Sequence, residues 1–337
     1  LVLLRLPLVR LLLRLLLRCL LGLLIRLLDR LNCSRFCVNL LSVADLFALL
    51  ADLDAEGAEL DSVLSAIPAE SWSLPTPSQG WNIAYQVSHL AWTDQASLLA
   101  IVDEPAFVAQ AEALLAQPRG FIDRTAAQDS GLPPQKLLDL WRDGRRQLAQ
   151  ALAQVPKGHK LRWFGPSMSA ASMATARLME TWAHGYDIAD ALGRAPKPTA
   201  RLRPVAHIGV RTRDFAFTAN RLPVPTEEFR IELDAAELDA AELDAAGHEP
   251  AELETGSTSS SQWVWGPEDA EQRVSGPALD FCLLVTQRRH CQDLDLVAVG
   301  TQAATWLSIA QTFAGPVGGG RTAGQFSEQQ LSGGINT

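Results

Sequence analysis

Between Val43 and Pro196 the apolar residues recur at helical intervals. "VADLFALLADLDAEGAELDSVLSAI" places Leu46, Leu49, Leu50 and Leu53, then Leu60, Val63 and Leu64, on one face with acids between them. Pro68 ends that helix, and "SWSLPTPSQGW" follows as a loop. Asn82 then offers an N-cap to a second helix, "IAYQVSHLAWTDQASLLAIV". Pro105 opens a shorter helical stretch, and "GLPPQKLLDLWRDGRRQLAQALAQV" reads as a long amphipathic helix with Pro134 in its first turn. After "PKGHKLRWFGPSMSA" comes a fourth long helix containing "METWAHGYDIAD", which ends around Gly193 and Pro196. Four long helices joined by extended loops predict a four-helix bundle over residues 44–196.

Past residue 200 the period changes. "FRIELDA" alternates Phe229, Ile231 and Leu233, and "QWVWG" alternates Trp263 with Trp265, so both read as strands. "GPALDFCLLVTQRRH" and "TQAATWLSIAQTFAG" read as apolar-faced helices; Arg288 and Arg289 could reach an anionic substrate, but such a pair is more often a solvated helix end, which is the expectation. The chain is therefore mainly α, a bundle followed by a smaller α+β domain over 200–315. Between the two strands, residues 232–247 repeat a five-residue unit, "ELDAA". Each repeat turns its Leu by about 140° around a helix, so no single face is kept. The repeat is expected as an expanded, solvated hairpin loop or a frayed helix. Residues 316–337, rich in Gly, are expected as a disordered tail.

Residues 1–43 stand apart. Arg10, Arg14 and Arg18 recur every fourth residue, as do Arg26 and Arg30, which on a helix would form a basic stripe. The uncharged stretches, such as that between Arg18 and Arg26, are all well short of the roughly 20 apolar residues of a membrane span. Two readings compete: an amphipathic helix on an anionic membrane surface, and an upstream extension that is not made in the cell. The second is the expectation, so membrane contact depends on this segment being real.

Composition narrows the partners. The net charge is −9 and the pI about 5.2. The charge is split, because the first 43 residues hold seven Arg against one Asp and the rest is strongly acidic. An acidic body is a poor match for nucleic acid, which wants a basic face. The five cysteines are odd in number and lie at the two ends of the chain, which fits a reducing, cytoplasmic setting. Cys33 and Cys37 would need a further Cys to begin an iron–sulfur site, and position 40 is Leu40. Cys282 reads as core.

The candidate chemistry sits on two helices. Glu180 and His184 are four residues apart, so both emerge on one helical face. Leu178, Met179, Trp182, Ala183 and Ile188 make that stretch apolar, and a buried carboxylate or imidazole needs a partner. His89, set among Val87, Leu90 and Ala91, offers one from the second helix. Two imidazoles and a carboxylate suit a divalent ion such as zinc, and three protein ligands leave a position open for chemistry. Asp94 and Asp187 are near enough in sequence to orient the ligands from behind. In the competing reading, His89 and His184 are ordinary core histidines and Glu180 pairs with an Arg such as Arg177. Spacing alone leaves the two level.

"GWNIAYQVSHLAWTD", followed some ninety residues later by "METWAHGYDIAD", resembles the metal-binding N-terminal domain of the mycothiol-dependent maleylpyruvate isomerase family, within the DinB-like superfamily of four-helix bundles. The shared pattern is Gly-Trp before the helix, His-Leu-Ala on it, and Glu-x3-His-Gly-x-Asp on the last helix. The resemblance implies that His89, Glu180 and His184 are metal ligands and assigns nothing to Tyr85 and Gln86. It also implies a metal-bound thiolate, from mycothiol, as nucleophile in isomerisation or S-transfer on a small electrophile. No protein residue is singled out as catalytic, and no substrate is implied. The C-terminal half resembles uncharacterised actinobacterial proteins that are sometimes labelled with a wyosine base formation domain. Two other functions compete with the enzyme: a non-catalytic metal-binding module and, more remotely, a role in RNA modification. Against the last, the chain lacks the cysteines of a radical iron–sulfur site.

Overall fold

Helix boundaries follow local chemistry. In the computed structural model, which describes residues 33–117, 120–236, 238, 261–313 and 317–326, helix α1 spans Cys33–Ala66 and stops two residues before Pro68. The Asn82 side chain accepts the backbone N–H of Tyr85 and opens α2, Ile83–Val102, as the sequence predicts. The Asp103 carboxylate then caps the short α3, Glu104–Leu115. Helix α4 is Phe121–Ala127, and α5, Pro134–Gln154, carries Pro134 in its first turn. Ser169 caps α6, Ala170–Ala191, by accepting from Ser172 N.

The described residues from Ala48 onward form one compact unit. Helices α1, α2, α5 and α6 make the bundle. Leu60 and Leu64 of α1 pack with Ile83, Val87 and Leu90 of α2, with Leu137, Leu138 and Trp141 of α5, and with Ile188 of α6. Burying a side chain of this size contributes about 1.5–3 kcal/mol. At the outer edge, Asp61 of α1 accepts from Arg142 Nε at 2.9 Å and from Arg145 at 2.9 Å, which ties α1 to α5.

The C-terminal part adds α7, Leu202–Arg211; α8, Arg213–Ala219; α9, Ala278–Val285; and α10, Thr301–Ile309. It also adds strands β1, Phe229–Asp234; β2, Gln262–Trp265; β3, Gln272–Pro277; and β4, Val297–Val299. The sheet order is β2-β1-β3-β4. Strand β1 is antiparallel to β2, with Ile231 opposite Trp265 and Leu233 opposite Trp263, and parallel to β3. The two expected strands are therefore neighbours in the sheet, whereas β3 and β4 were not anticipated. Phe229, Ile231 and Leu233 point into a core with Phe217, Phe281 and Trp306. Cys282 is fully buried there, and burial pushes its thiol pKa up.

Met179, Trp182, Ala183 and Tyr186 of α6 belong to this second core, while Ile188 belongs to the first. Helix α6 thus has a face in each, and the sheet region is built directly onto the helix that carries Glu180 and His184. Among the described residues no helix is long and apolar enough to cross a membrane. Of the expectations above, residues 1–32 of the Arg/Leu extension, residues 237 and 239–247 of the repeat and the tail beyond residue 326 lie outside the described residues. Residues 317–326, assigned by composition to a disordered tail, instead make defined contacts. Arg321 pairs with Asp187 at 2.6 Å, and the Gly324 N–H donates to Asp293 at 2.8 Å.

Candidate metal centre

Helices α2 and α6 face each other across the bundle and bring the three predicted side chains together. Glu180 Oε2 lies 3.1 Å from His184 Nε2 and 3.5 Å from His89 Nε2. The imidazole centroids are 4.7 Å apart. One donor atom from each of His89, Glu180 and His184 falls within 4.8 Å of the others. Both imidazoles are buried, at 8% and 9% exposure, while the Glu180 side chain keeps 19%. Trp81, from the Gly-Trp pair before α2, covers the cluster. Its ring lies 5.2 Å from that of His89 and is nearly parallel to that of His184 at 6.0 Å, and its indole N–H donates to Asp123 at 2.9 Å.

Charge follows from these neighbours. Burial works against the Glu180 carboxylate, but hydrogen bonds with His184 and His89 outweigh it and hold the group well below the usual carboxylate range. Burial pushes His184 down to about 4. Arg177, the alternative partner for Glu180, is engaged elsewhere: its Nε donates to Asp94 at 3.0 Å and its terminal nitrogen to Thr93 at 2.7 Å. The competing reading of the motif loses its named ion pair. Asp94 likewise departs from its expected place, because its carboxylate is used to hold Arg177 and does not orient an imidazole.

The residue that does touch an imidazole from behind is Gln86, to which the motif assigned no role. Its Oε1 is 2.5 Å from His184 Nδ1. Its amide nitrogen is 2.8 Å from Thr76 Oγ1 and 3.5 Å from Asp187 Oδ2. Thr76 spends its own hydroxyl proton on the Trp81 carbonyl at 3.0 Å, so its oxygen accepts from Gln86. Ionised Asp187 can only accept. Two acceptors therefore fix which end of the Gln86 amide is nitrogen, and Oε1 must face His184, where Nδ1 carries the proton. Gln86 stands three residues before His89, one helical turn away on the same face, and that spacing was the available signal. Asp187, expected directly behind a ligand, sits one hydrogen bond further out.

Asp187 is fully buried and collects partners from three places. Ser78 donates at 2.9 Å, and Arg288 and Arg321 pair with it at 3.2 and 2.6 Å. Despite burial, the two guanidinium groups hold its carboxyl below the ordinary value. Arg288 also donates to the Ala183 carbonyl, while Arg289 grips Asp190 through two bonds of 2.8 and 2.7 Å. The pair expected at a solvated helix end is instead spent on α6.

A bundle with two imidazoles and a carboxylate converging from facing helices is the kind of scaffold on which metal sites are built. Residues 53–189 match the model of the mycothiol maleylpyruvate isomerase N-terminal domain, and residues 257–299 match that of wyosine base formation. The chain belongs to one family with two uncharacterised Mycobacterium tuberculosis proteins, Rv0036c of strain H37Rv and MT0041 of strain CDC 1551. Each is 50% identical over 279 residues, covering 83% of this chain and 100% of the relative. Among solved structures, the mycothiol-dependent maleylpyruvate isomerase aligns with a TM-score of 0.46 at 17% identity, over 72% of this chain and 89% of that one. A mutant of the same isomerase gives the same values.

Proposed function

We propose that His89, Glu180 and His184 hold a divalent cation, zinc being the best match, and that the protein is an enzyme using mycothiol as a small-molecule thiol for isomerisation or S-transfer on a small electrophile. The carrying observation is the convergence of three donor atoms. Glu180 Oε2 lies 3.1 Å from Nε2 of His184, whose ring is held at Nδ1 by Gln86, and His89 Nε2 closes on the same oxygen at 3.5 Å. Tetrahedral zinc with bonds of about 2.0–2.2 Å separates its ligand atoms by about 3.3–3.6 Å. The spacings from Glu180 to the two imidazoles, 3.1 and 3.5 Å, sit close to that range.

Three protein donors leave one position for an exogenous group. A cation held there would make a bound thiol available as thiolate at neutral pH without a strong base. The chain's own residues do the rest. Gln86 fixes the His184 proton away from the cluster, Trp81 screens the imidazoles from water, and Glu180 supplies the negative charge. The thiol assignment rests on the family model over residues 53–189, which is named for mycothiol maleylpyruvate isomerase. Because the net charge is −9, we propose small-molecule partners and no nucleic acid.

Calorimetry with mycothiol tests the reading. Zinc-loaded protein is expected to bind the thiol, while chelated protein and His89→Ala bind neither thiol nor stoichiometric zinc. Zinc binding without any thiol heat would favour an inert metal-binding module. Undiminished zinc in His89→Ala would refute the ligand set.

A further inference from the structure

The C-terminal segment 317–326 lies far in sequence from the cluster, yet one of its side chains reaches the support behind His184. Gly320 and Gly324 both have positive φ, +61° and +73°, a conformation that costs glycine little. Between them Arg321 donates to Asp187 at 2.6 Å and to Ser78 at 3.3 Å. Phe326 covers the guanidinium of Arg289 at 3.6 Å, and Asp293 receives the Gly324 N–H. Three anchors thus fasten a glycine-rich segment onto α6 and the loop after α9.

We propose that Arg321 is a positioning residue for the metal centre. It clamps Asp187, Asp187 holds the nitrogen end of the Gln86 amide, and Gln86 keeps the proton of His184 on Nδ1, leaving Nε2 as the ligand atom. The inference rests on the metal reading above, but its structural half concerns only where a proton sits. Arg288 supplies a second positive charge to Asp187 from a different direction. Arg321 differs in also holding Ser78, in the loop that leads to Trp81, so it ties that loop and the carboxylate together. Outer partners of this kind are worth about 10–100-fold in metal affinity.

The test uses the full chain with two readouts. Zinc affinity is measured by competition with a chromophoric chelator, and the 15N shift of His184 Nδ1 is recorded in metal-free protein. Arg321→Ala is expected to weaken zinc binding about tenfold and to move Nδ1 away from its fully protonated shift. Arg321→Lys, which keeps a charged donor, should recover most of both. Should Arg321→Ala fail to fold, Gln86→Leu removes the same link and is expected to change both readouts in the same way. If Arg321→Ala retains wild-type affinity and the wild-type Nδ1 shift, the inference is overturned. Failure of the wild-type protein to bind zinc would remove the metal reading alone, and the Nδ1 shift would still decide whether Arg321 positions His184.

Discussion

At the scale of single residues, the site depends on hydrogen-bond direction as much as on proximity. Glu180 and His184 are close simply because four residues span one helical turn, and such pairs are common. What sets this pair apart is Gln86, whose amide is oriented by Thr76 and Asp187 and in turn orients His184. The motif made His89, Glu180 and His184 legible in the sequence, and the structure brings them together. For Gln86 the sequence offers only its three-residue spacing from His89, because its role depends on acceptors from a loop and from α6. Glu180→Gln probes the charge directly. The amide keeps a carbonyl oxygen near both imidazoles but loses the negative charge, so zinc affinity should fall at least tenfold while the thermal midpoint changes little. A variant that binds zinc as tightly as the wild type would mean that the carboxylate is no ligand.

At the scale of elements, the bundle was readable because period-3.6 patterns over twenty residues leave little choice of structure. Asn82 and Pro134 marked the starts of α2 and α5 correctly. Strand β3 escaped because Val274 is its one large apolar residue and it runs directly into a helix, and β4 because it is only three residues long. Composition also misled at Arg288, Arg289 and residues 317–326, where charge and glycine suggested solvent and the structure shows ion pairs with α6. The joint between α1 and α5 gives a prediction in pH. Hydrogen bonds from Arg142 lead the effects that hold Asp61 below its ordinary value of 3.8, even against partial burial. A depressed carboxyl stabilises the fold above its unfolded pKa and loses that contribution as pH falls through the lower folded value. Denaturant unfolding between pH 6 and pH 2.5 should therefore show an acid-side loss that Asp61→Asn reduces by about 1 kcal/mol. Identical pH profiles for the two proteins would contradict the assignment.

At the scale of the whole molecule, α6 is the common wall of two cores, so the sheet region is part of the site's support. Its inner residues pack on Met179 and Trp182, its Arg288 and Arg289 hold the end of α6, and the segment beyond it supplies Arg321. The family model for the bundle ends at residue 189, before any of these arginines. A bundle truncated there would keep all three donor residues but lose the charges that neutralise buried Asp187, which explains why the donor motif alone undersells the site. The central claim is that three side chains from two helices meet around one cation. Zinc K-edge X-ray absorption on the zinc-loaded full-length chain tests it most directly. The account predicts one zinc per chain with two imidazoles at about 2.0–2.1 Å and oxygen at about 2.0–2.2 Å, and loss of that stoichiometric two-imidazole site in His89→Ala. A shell with no histidine scattering, or one that His89→Ala leaves unchanged, would contradict it.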